Sequence, residues 1–265
     1  MIRSLIFAIF TLMIILASCS KSEKDLPELK KHFEAAGYSG SFAMYDNTRK
    51  QWVYYNKDKC FERMSPASTF KIVNSLIALE TGVMKDIDDT LRWDGYEREV
   101  AAWNQDQNMT TAFKYSVVWF YREIARRIGA DSMQHYIKLI DGYGDMSSAG
   151  NIDKFWLDGS FEVSQVEQVN MLRRLYADDL PFSERTMNLV KKLMLYENTP
   201  TYTIRAKTGA DRVGMTGWFV GWVEEKGAAY FFATNLKADS LDSTFMQARI
   251  DVTKNILKNL SLLRE

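Results

Sequence analysis

Apolar and polar positions change rhythm four times along this chain. Leu29 to Ala36 carries apolar residues at helical spacing and predicts a short amphipathic helix. Gly40 to Tyr45 alternates as a strand does, Asp46-Asn47 turns the chain, and Gln51 to Tyr55 reads as the return strand of a hairpin. From Ser68 to about Leu189 the spacing is mostly helical, clearest over Thr111–Ile128, Asp131–Ile140 and Val163–Tyr176. Glycines and Trp156 mark loops between these segments. Alternation returns after Pro200 in Tyr202 to Ala206. Strand signals continue in Gly217 to Val223 and Ala228 to Ala233, which flank a Glu225-Lys226-Gly227 turn and read as another hairpin. A last helix is predicted from Ser243 to Leu260.

The order is helix, strands, many helices, strands, helix. Strand runs separated in this way predict an α/β (α+β) fold in which an antiparallel sheet carries the N- and C-terminal helices. An all-helical lobe, about 67–186, is inserted between sheet segments at about 24–66 and 187–265. No internal repeat is present.

The first residues follow other rules. After Met1-Ile2-Arg3-Ser4 comes an apolar run from Leu5 to Leu16, too short for a comfortable membrane span. Residues 1–18 therefore read as a secretion signal, with a single domain over 19–265. Leu16-Ala17-Ser18-Cys19 resembles the lipobox of bacterial lipoproteins, which implies cleavage before Cys19 and lipid attachment to its sulfur. Ser20 to Asp25 would then be a polar tether, and the protein would sit at the periplasmic face of a membrane without spanning it. The alternative is an ordinary signal peptide with a chance cysteine, which gives a soluble periplasmic protein.

Composition removes several classes. The 265 residues include 34 basic and 34 acidic side chains, for a net charge of zero, so neither a strongly basic nucleic-acid binder nor an acidic tail describes the chain. Hydrophobic residues make up 46%, enough for a large core. There are two cysteines. If Cys19 is lipidated, Cys60 has no intramolecular partner, and a cysteine-rich zinc site is excluded. His32 and His135 are the two histidines. Both lie in helix-like stretches away from any G-x-S-x-G elbow, so a Ser-His-Asp triad and a zinc hydrolase find no support.

The strongest chemical signal is Pro66-Ala67-Ser68-Thr69-Phe70-Lys71, which runs into the apolar stretch Ile72 to Leu79. Proline and serine start helices, so Ser68 is expected in the first turn with Lys71 one turn later on the same face. A serine needs a base to become a nucleophile, and a lysine whose charge is discouraged by apolar surroundings can supply one. Alone, S-x-x-K is weak: Ser68 would be a helix cap and Lys71 a solvated residue in most chains. Ser116-Val117-Val118, on the stretch read as helical, and Lys207-Thr208-Gly209, closing a strand, complete a set used by penicillin-recognising serine enzymes. The conjunction is specific where the pieces are not.

P-A-S-T-F-K, S-x-V, K-T-G, Tyr143-Gly144 and Phe155-Trp156-Leu157-Asp158-Gly159 together resemble a class D (oxacillinase-type) serine β-lactamase, from about Gly37 to the C-terminus. Trp103, Ala125 to Gly129 and Gly221-Trp222-Val223 match as well. The resemblance implies the penicillin-recognising hydrolase fold, hydrolysis of penicillin-type β-lactams and β-lactam resistance. It assigns acylation to Ser68. It implies that Lys71 is N-carboxylated by carbon dioxide and acts as general base for acylation and deacylation. Trp156 would donate its indole N–H to that carbamate, and Val118 and Leu157 would form an apolar rim. Ser116 would relay a proton to the lactam nitrogen beside the positive field of Lys207. Thr208 and Arg249 would hold the substrate carboxylate, Ser68 and Ala210 N–H groups after Gly209 would form the oxyanion hole, and Trp103 would wall the cleft. No dissociable cofactor and no metal are implied, and oligomeric state is left open.

One motif departs: the family shows Y-G-N where this chain has Tyr143-Gly144-Asp145. Asp replaces Asn as a turn residue but not as an amide donor, so Tyr143 and Asp145 read as supports. The loop Ala210 to Thr216 is brief and borders the cleft. Two competing readings remain, a penicillin-binding receptor domain that stays acylated and a cell-wall peptidase or pseudo-enzyme.

Overall fold

A computed structural model describes residues 22–146, 150–240 and 242–264. The signal segment and Cys19 lie outside the described residues. Strands β1 (Ser22–Asp25), β2 (Ser39–Asp46) and β3 (Gln51–Tyr55) join β6 (Leu195–Asn198), β7 (Tyr202–Asp211), β8 (Thr216–Glu225) and β9 (Ala228–Lys237) in one seven-stranded sheet. Its order is β1-β3-β2-β9-β8-β7-β6. Every pairing is antiparallel except β1 with β3. A separate ribbon pairs β4 (Thr90–Leu91) with β5 (Gln107–Asn108).

Both faces of the sheet are covered. On one lie α1 (Lys30–Ala36) and α8 (Ser243–Asn259). Phe42, Ile204, Phe219 and Phe232 share a core there with Phe33, Phe245 and Ile256. On the other lies the helical part: α2 (Lys71–Glu80), α3 (Met109–Lys114), α4 (Val118–Ile128), α5 (Ala130–Leu139), α6 (Gln165–Tyr176) and α7 (Glu184–Leu193). Strand β8 shows why the sequence demands two layers: Trp218, Val220 and Trp222 enter the helical core while Phe219 and Val223 enter the other. A strand buried on both faces reads as a continuous apolar run.

Three local readings are corrected. Ser22–Asp25, expected in a polar tether, is an exposed edge strand whose backbone pairs parallel with Gln51–Tyr54. Ser68 sits in a 3-10 turn, Ala67–Phe70, and the α-helix proper begins at Lys71. Thr111–Ile128 is not one helix. α3 stops at Lys114, and Ser116 has φ +53°. Ser116 N–H donates to Phe113 O at 3.3 Å and Val117 N–H to Ala112 O at 2.9 Å. This is a Schellman ending with serine where glycine is usual, and without the glycine the pattern hides the break. Cys60 is fully buried, and burial pushes its thiol up to about 12.

Candidate active site

The site forms where the 3-10 turn at the head of α2, the α3–α4 junction, the loop 150–164 and β7 converge. Ser68 is partly exposed while Lys71, one turn on, is fully buried. Lys71 Nζ donates to Ser68 Oγ at 2.7 Å. Burial alone lowers the Lys71 ammonium to about 7, with no carboxylate contributing. Nζ also stands 5.3 Å from the centre of the Tyr121 ring. An unpaired buried ammonium favours the neutral amine.

Ser68 is held in a tight frame. Ala67 has φ +49°, strain of the kind that persists at functional sites when neighbours fix it. Thr69 Oγ1 donates to Pro66 O at 2.7 Å and accepts from Gln168 Nε2 at 2.7 Å. Tyr143 OH donates to Gln168 Oε1 at 3.4 Å, so Tyr143 reaches the Ser68 turn through α6. On the other side Gly209 presses against the turn, and a Cβ there would fall 2.9 Å from Pro66 O. Glycine is required at that point by the close approach of β7.

Lys207, from the strand face toward the helices, donates to Ser116 Oγ and stands 5.4 Å from the Phe113 ring centre. Burial, then the charges of Lys71 and Arg249, push its ammonium well below the usual lysine range. Arg249, on α8, passes over the sheet end and donates to the Gly209 carbonyl. Burial brings its guanidinium down to about 10. Gly217 makes room, since a Cβ there would meet the Phe245 ring at 2.8 Å and Arg249 Cδ at 3.4 Å. Thus the buried basic groups of Lys207 and Arg249 gather at one end of β7, with Lys71 close enough to act on Lys207. Thr208 and Ala210 are half-buried on the same strand.

The loop supplies Trp156, whose ring stacks on Phe70 at 5.5 Å and 19°. Its Nε1 is buried without a hydrogen-bond partner, which is costly unless something accepts from it. Ser65 fixes the loop, with Oγ donating to Trp156 O at 3.0 Å, and Trp218 Nε1 donates to Ser65 O at 2.9 Å. Leu157 and Val118 are half-buried, and Leu157 packs against the helical core. Trp103 is partly exposed: its Nε1 donates to Tyr115 O at 2.9 Å, and its carbonyl accepts from Trp119 Nε1 at 2.8 Å. Asp211 closes the short β7–β8 turn by accepting from Val213 N and Gly214 N at 2.9 and 2.8 Å.

Residues 29–261 match the penicillin binding protein transpeptidase domain family. The chain is 39% identical over 253 residues to Beta-lactamase OXA-48 of Klebsiella pneumoniae, covering 95% of this chain and 94% of that protein. A class D β-lactamase structure from Nostoc superposes with TM-score 0.85 at 43% identity, over 89% of this chain and 99% of that one. One from Sebaldella termitidis gives TM-score 0.87 at 36% identity, over 92% and 100%.

The chain belongs to the class D β-lactamases. It is a serine hydrolase of β-lactams on the penicillin-recognising fold. Sequence reasoning missed three supports of this class D site: Gln168, Tyr121 and Ser65. Each acts on a partner far away along the chain, so no local pattern signals it. Among the described residues no helix is long and apolar enough to cross a membrane, and no group of three or more His, Cys, Asp or Glu is placed to hold a metal ion.

Proposed function

We propose that the enzyme hydrolyses penicillin-type β-lactams through a Ser68 acyl-enzyme, with N-carboxylated Lys71 as general base in both halves of the reaction. The observation that carries this reading is the fully buried, neutral-prone Lys71 amine against Ser68 Oγ; the unpartnered Trp156 Nε1, on a ring stacked on the adjacent Phe70, supports it. Only an uncharged amine reacts with carbon dioxide. Nζ bonds to the carbon, one C–O π pair moves to oxygen, and an N–H proton leaves. The resulting anion supplies a base at neutral pH and an acceptor for the orphaned indole donor.

Lys71 so modified takes the hydroxyl proton as Ser68 Oγ bonds to the lactam carbonyl carbon. The N–H groups of Ser68 and Ala210 hold the developing oxyanion. The ring C–N bond breaks, and the proton taken from Ser68 passes from the Lys71 carbamate through Ser116, in contact with Lys207, to the departing nitrogen, which leaves the carbamate basic again. Lys71 then takes a proton from water as it attacks the ester, and Ser68 leaves with its proton restored. Lys207, Thr208 and Arg249 bind the substrate carboxylate. Two buried basic side chains, Lys207 and Arg249, without a carboxylate among their charge neighbours support that role. Gly209 permits the close strand, Trp103 walls the cleft, and Val118 and Leu157 limit water. In its host this activity confers β-lactam resistance, and Cys19 carries a lipid that anchors the exported enzyme at a membrane.

The purified protein is mixed with a chromogenic cephalosporin, with and without bicarbonate. Sustained turnover enhanced by bicarbonate is expected. One stoichiometric burst without turnover would instead make it a receptor that stays acylated. For the anchor, Cys19→Ala is expected to abolish lipid labelling; persistent labelling rejects that reading.

A further inference from the structure

Asp153 lies three residues before Trp156 and is 5% exposed. Its Oδ2 accepts from Arg122 Nε at 3.1 Å and Nη2 at 2.9 Å, and from Arg126 Nε at 2.9 Å. Arg126 Nη2 is also 2.8 Å away. The two arginines are one turn apart on α4, and Arg126 is itself held by Glu123 at 2.8 Å. A carboxylate gripped by two guanidiniums in a half-dry setting is a strong, directional contact.

The elements it joins both pack around the Lys71 chamber: Tyr121 of α4 against Lys71 itself, and Phe155 and Trp156 of the loop against the adjacent Phe70. Helix α4 starts at Val118 and carries Tyr121, whose ring faces Nζ. The loop carries Phe155, Trp156 and Leu157. Among the described residues, the polar contacts between this loop and α4 are those of Asp153. The loop's own backbone bonds are internal turns: Phe155 N–H to Asn151 O at 3.0 Å, Leu157 N–H to Lys154 O at 2.6 Å and Phe161 N–H to Phe155 O at 3.1 Å. They shape the loop but do not fasten it to the helix.

We propose that Asp153, gripped by Arg122 and Arg126, is a positioning residue for lysine carboxylation, locking the Trp156 loop onto α4 so that the Lys71 chamber stays dry and the indole N–H stays aimed. The inference rests on the carboxylation reading above. It assigns to a contact remote from substrate a specific consequence: control of how readily carbon dioxide is held at Lys71. Loosening the lock admits water, which stabilises the ammonium and leaves less neutral amine. A swung indole also ceases to hold the carbamate.

The test uses the whole mature enzyme and compares wild type with Asp153→Asn, Asp153→Glu and Arg126→Gln. The readouts are the bicarbonate concentration for half-maximal turnover, the pH profile and the carbamate signal after 13C-bicarbonate labelling. Asp153→Asn is expected to raise the bicarbonate requirement roughly tenfold, the size set by loss of a hydrogen-bonded charge pair. Turnover at saturating bicarbonate should stay within about threefold of wild type, and the onset of reactivation should move to higher pH. Asp153→Glu should recover part of the loss. Arg126→Gln, which leaves Arg122 in place, gives the same direction at smaller size and serves if the Asp153 variants do not fold. An unchanged bicarbonate requirement and pH profile in folded variants overturns the proposal. So does a loss of turnover that bicarbonate does not restore. If wild type itself gives no carbamate signal, the carboxylation reading fails first, before any variant is compared.

Discussion

Lys71 Nζ donates to Ser68 Oγ at 2.7 Å from a fully buried position in which desolvation alone brings its ammonium to about 7. The neutral fraction, and with it the rate of carbon dioxide capture, therefore changes within the physiological range. At equal dissolved carbon dioxide, enzyme stripped by dialysis at low pH should regain activity roughly tenfold faster at pH 8 than at pH 6, the ratio of neutral amine for a group titrating near 7. Stopped samples assayed with a chromogenic substrate follow the recovery. A recovery rate indifferent to pH over that span would remove the amine as the capturing group.

Trp156 separates packing from donation. Its ring stacks on Phe70 and lies 5.0 Å edge-on from Phe155, while its Nε1 has no partner. Trp156→Phe keeps most of the aromatic filling and deletes the donor. Stability should fall by about 1–2 kcal/mol, because the smaller ring leaves a partial cavity. Turnover should become biphasic at low carbon dioxide, with deacylation slowed roughly tenfold or more. Presteady-state kinetics with a slow cephalosporin resolve the two steps. Equal acylation and deacylation rates to wild type, in bicarbonate-free buffer, would contradict the N–H role.

Burying the Lys71 amine costs stability in a direction fixed by its titration. The folded value lies below the unfolded one of 10.5, so between about 7 and about 10.5 the unfolded chain binds the extra proton and stability rises with pH. Below about 7 both states are protonated, and the whole penalty is present. Lys71→Met, similar in volume and apolar, should be more stable than carbon dioxide-depleted wild type by about 2–4 kcal/mol at pH 6, and the gap should narrow by pH 9. Urea unfolding at the two pH values checks it. A gap that widens with pH would reverse the sign of the burial effect.

Legibility in the sequence followed the length of each signal. The hairpin β2–β3 and the β8–β9 pair were plain, because in each a turn joins two strand-like runs, alternating in the first and continuously apolar in the second. β7 and α8 were placed within a residue or two for the same reason. The edge strand Ser22–Asp25 was invisible: four exposed polar residues carry no periodicity, and only backbone pairing with β3 makes them a strand. Among the site residues, Ser68, Lys71, Ser116 and Lys207 were named from motif wording, and the fold brings them together in two hydrogen-bonded pairs. Asp153 and Gln168 were illegible as supports. Their meaning depends on Arg126, 27 positions away, and Thr69, 99 positions away.

Ser116 illustrates a conflict between folding and chemistry that can be measured. Its φ of +53° and the two backbone bonds that end α3 call for glycine at this position. A residue with a Cβ in the left-handed region costs about 1 kcal/mol. The hydroxyl nonetheless meets Lys207. Ser116→Gly should therefore raise stability by up to about 1 kcal/mol, less the lost contact to Lys207. Ser116→Ala keeps the strain and loses the same contact, so it should be less stable than the glycine variant. Both should lower kcat/KM at least about a hundredfold, the usual worth of a proton relay. Thermal melts and initial rates on the three proteins decide it. If glycine is no more stable than alanine, the left-handed strain is not there to relieve; if either variant keeps wild-type kcat/KM, the proton must reach the lactam nitrogen by another route.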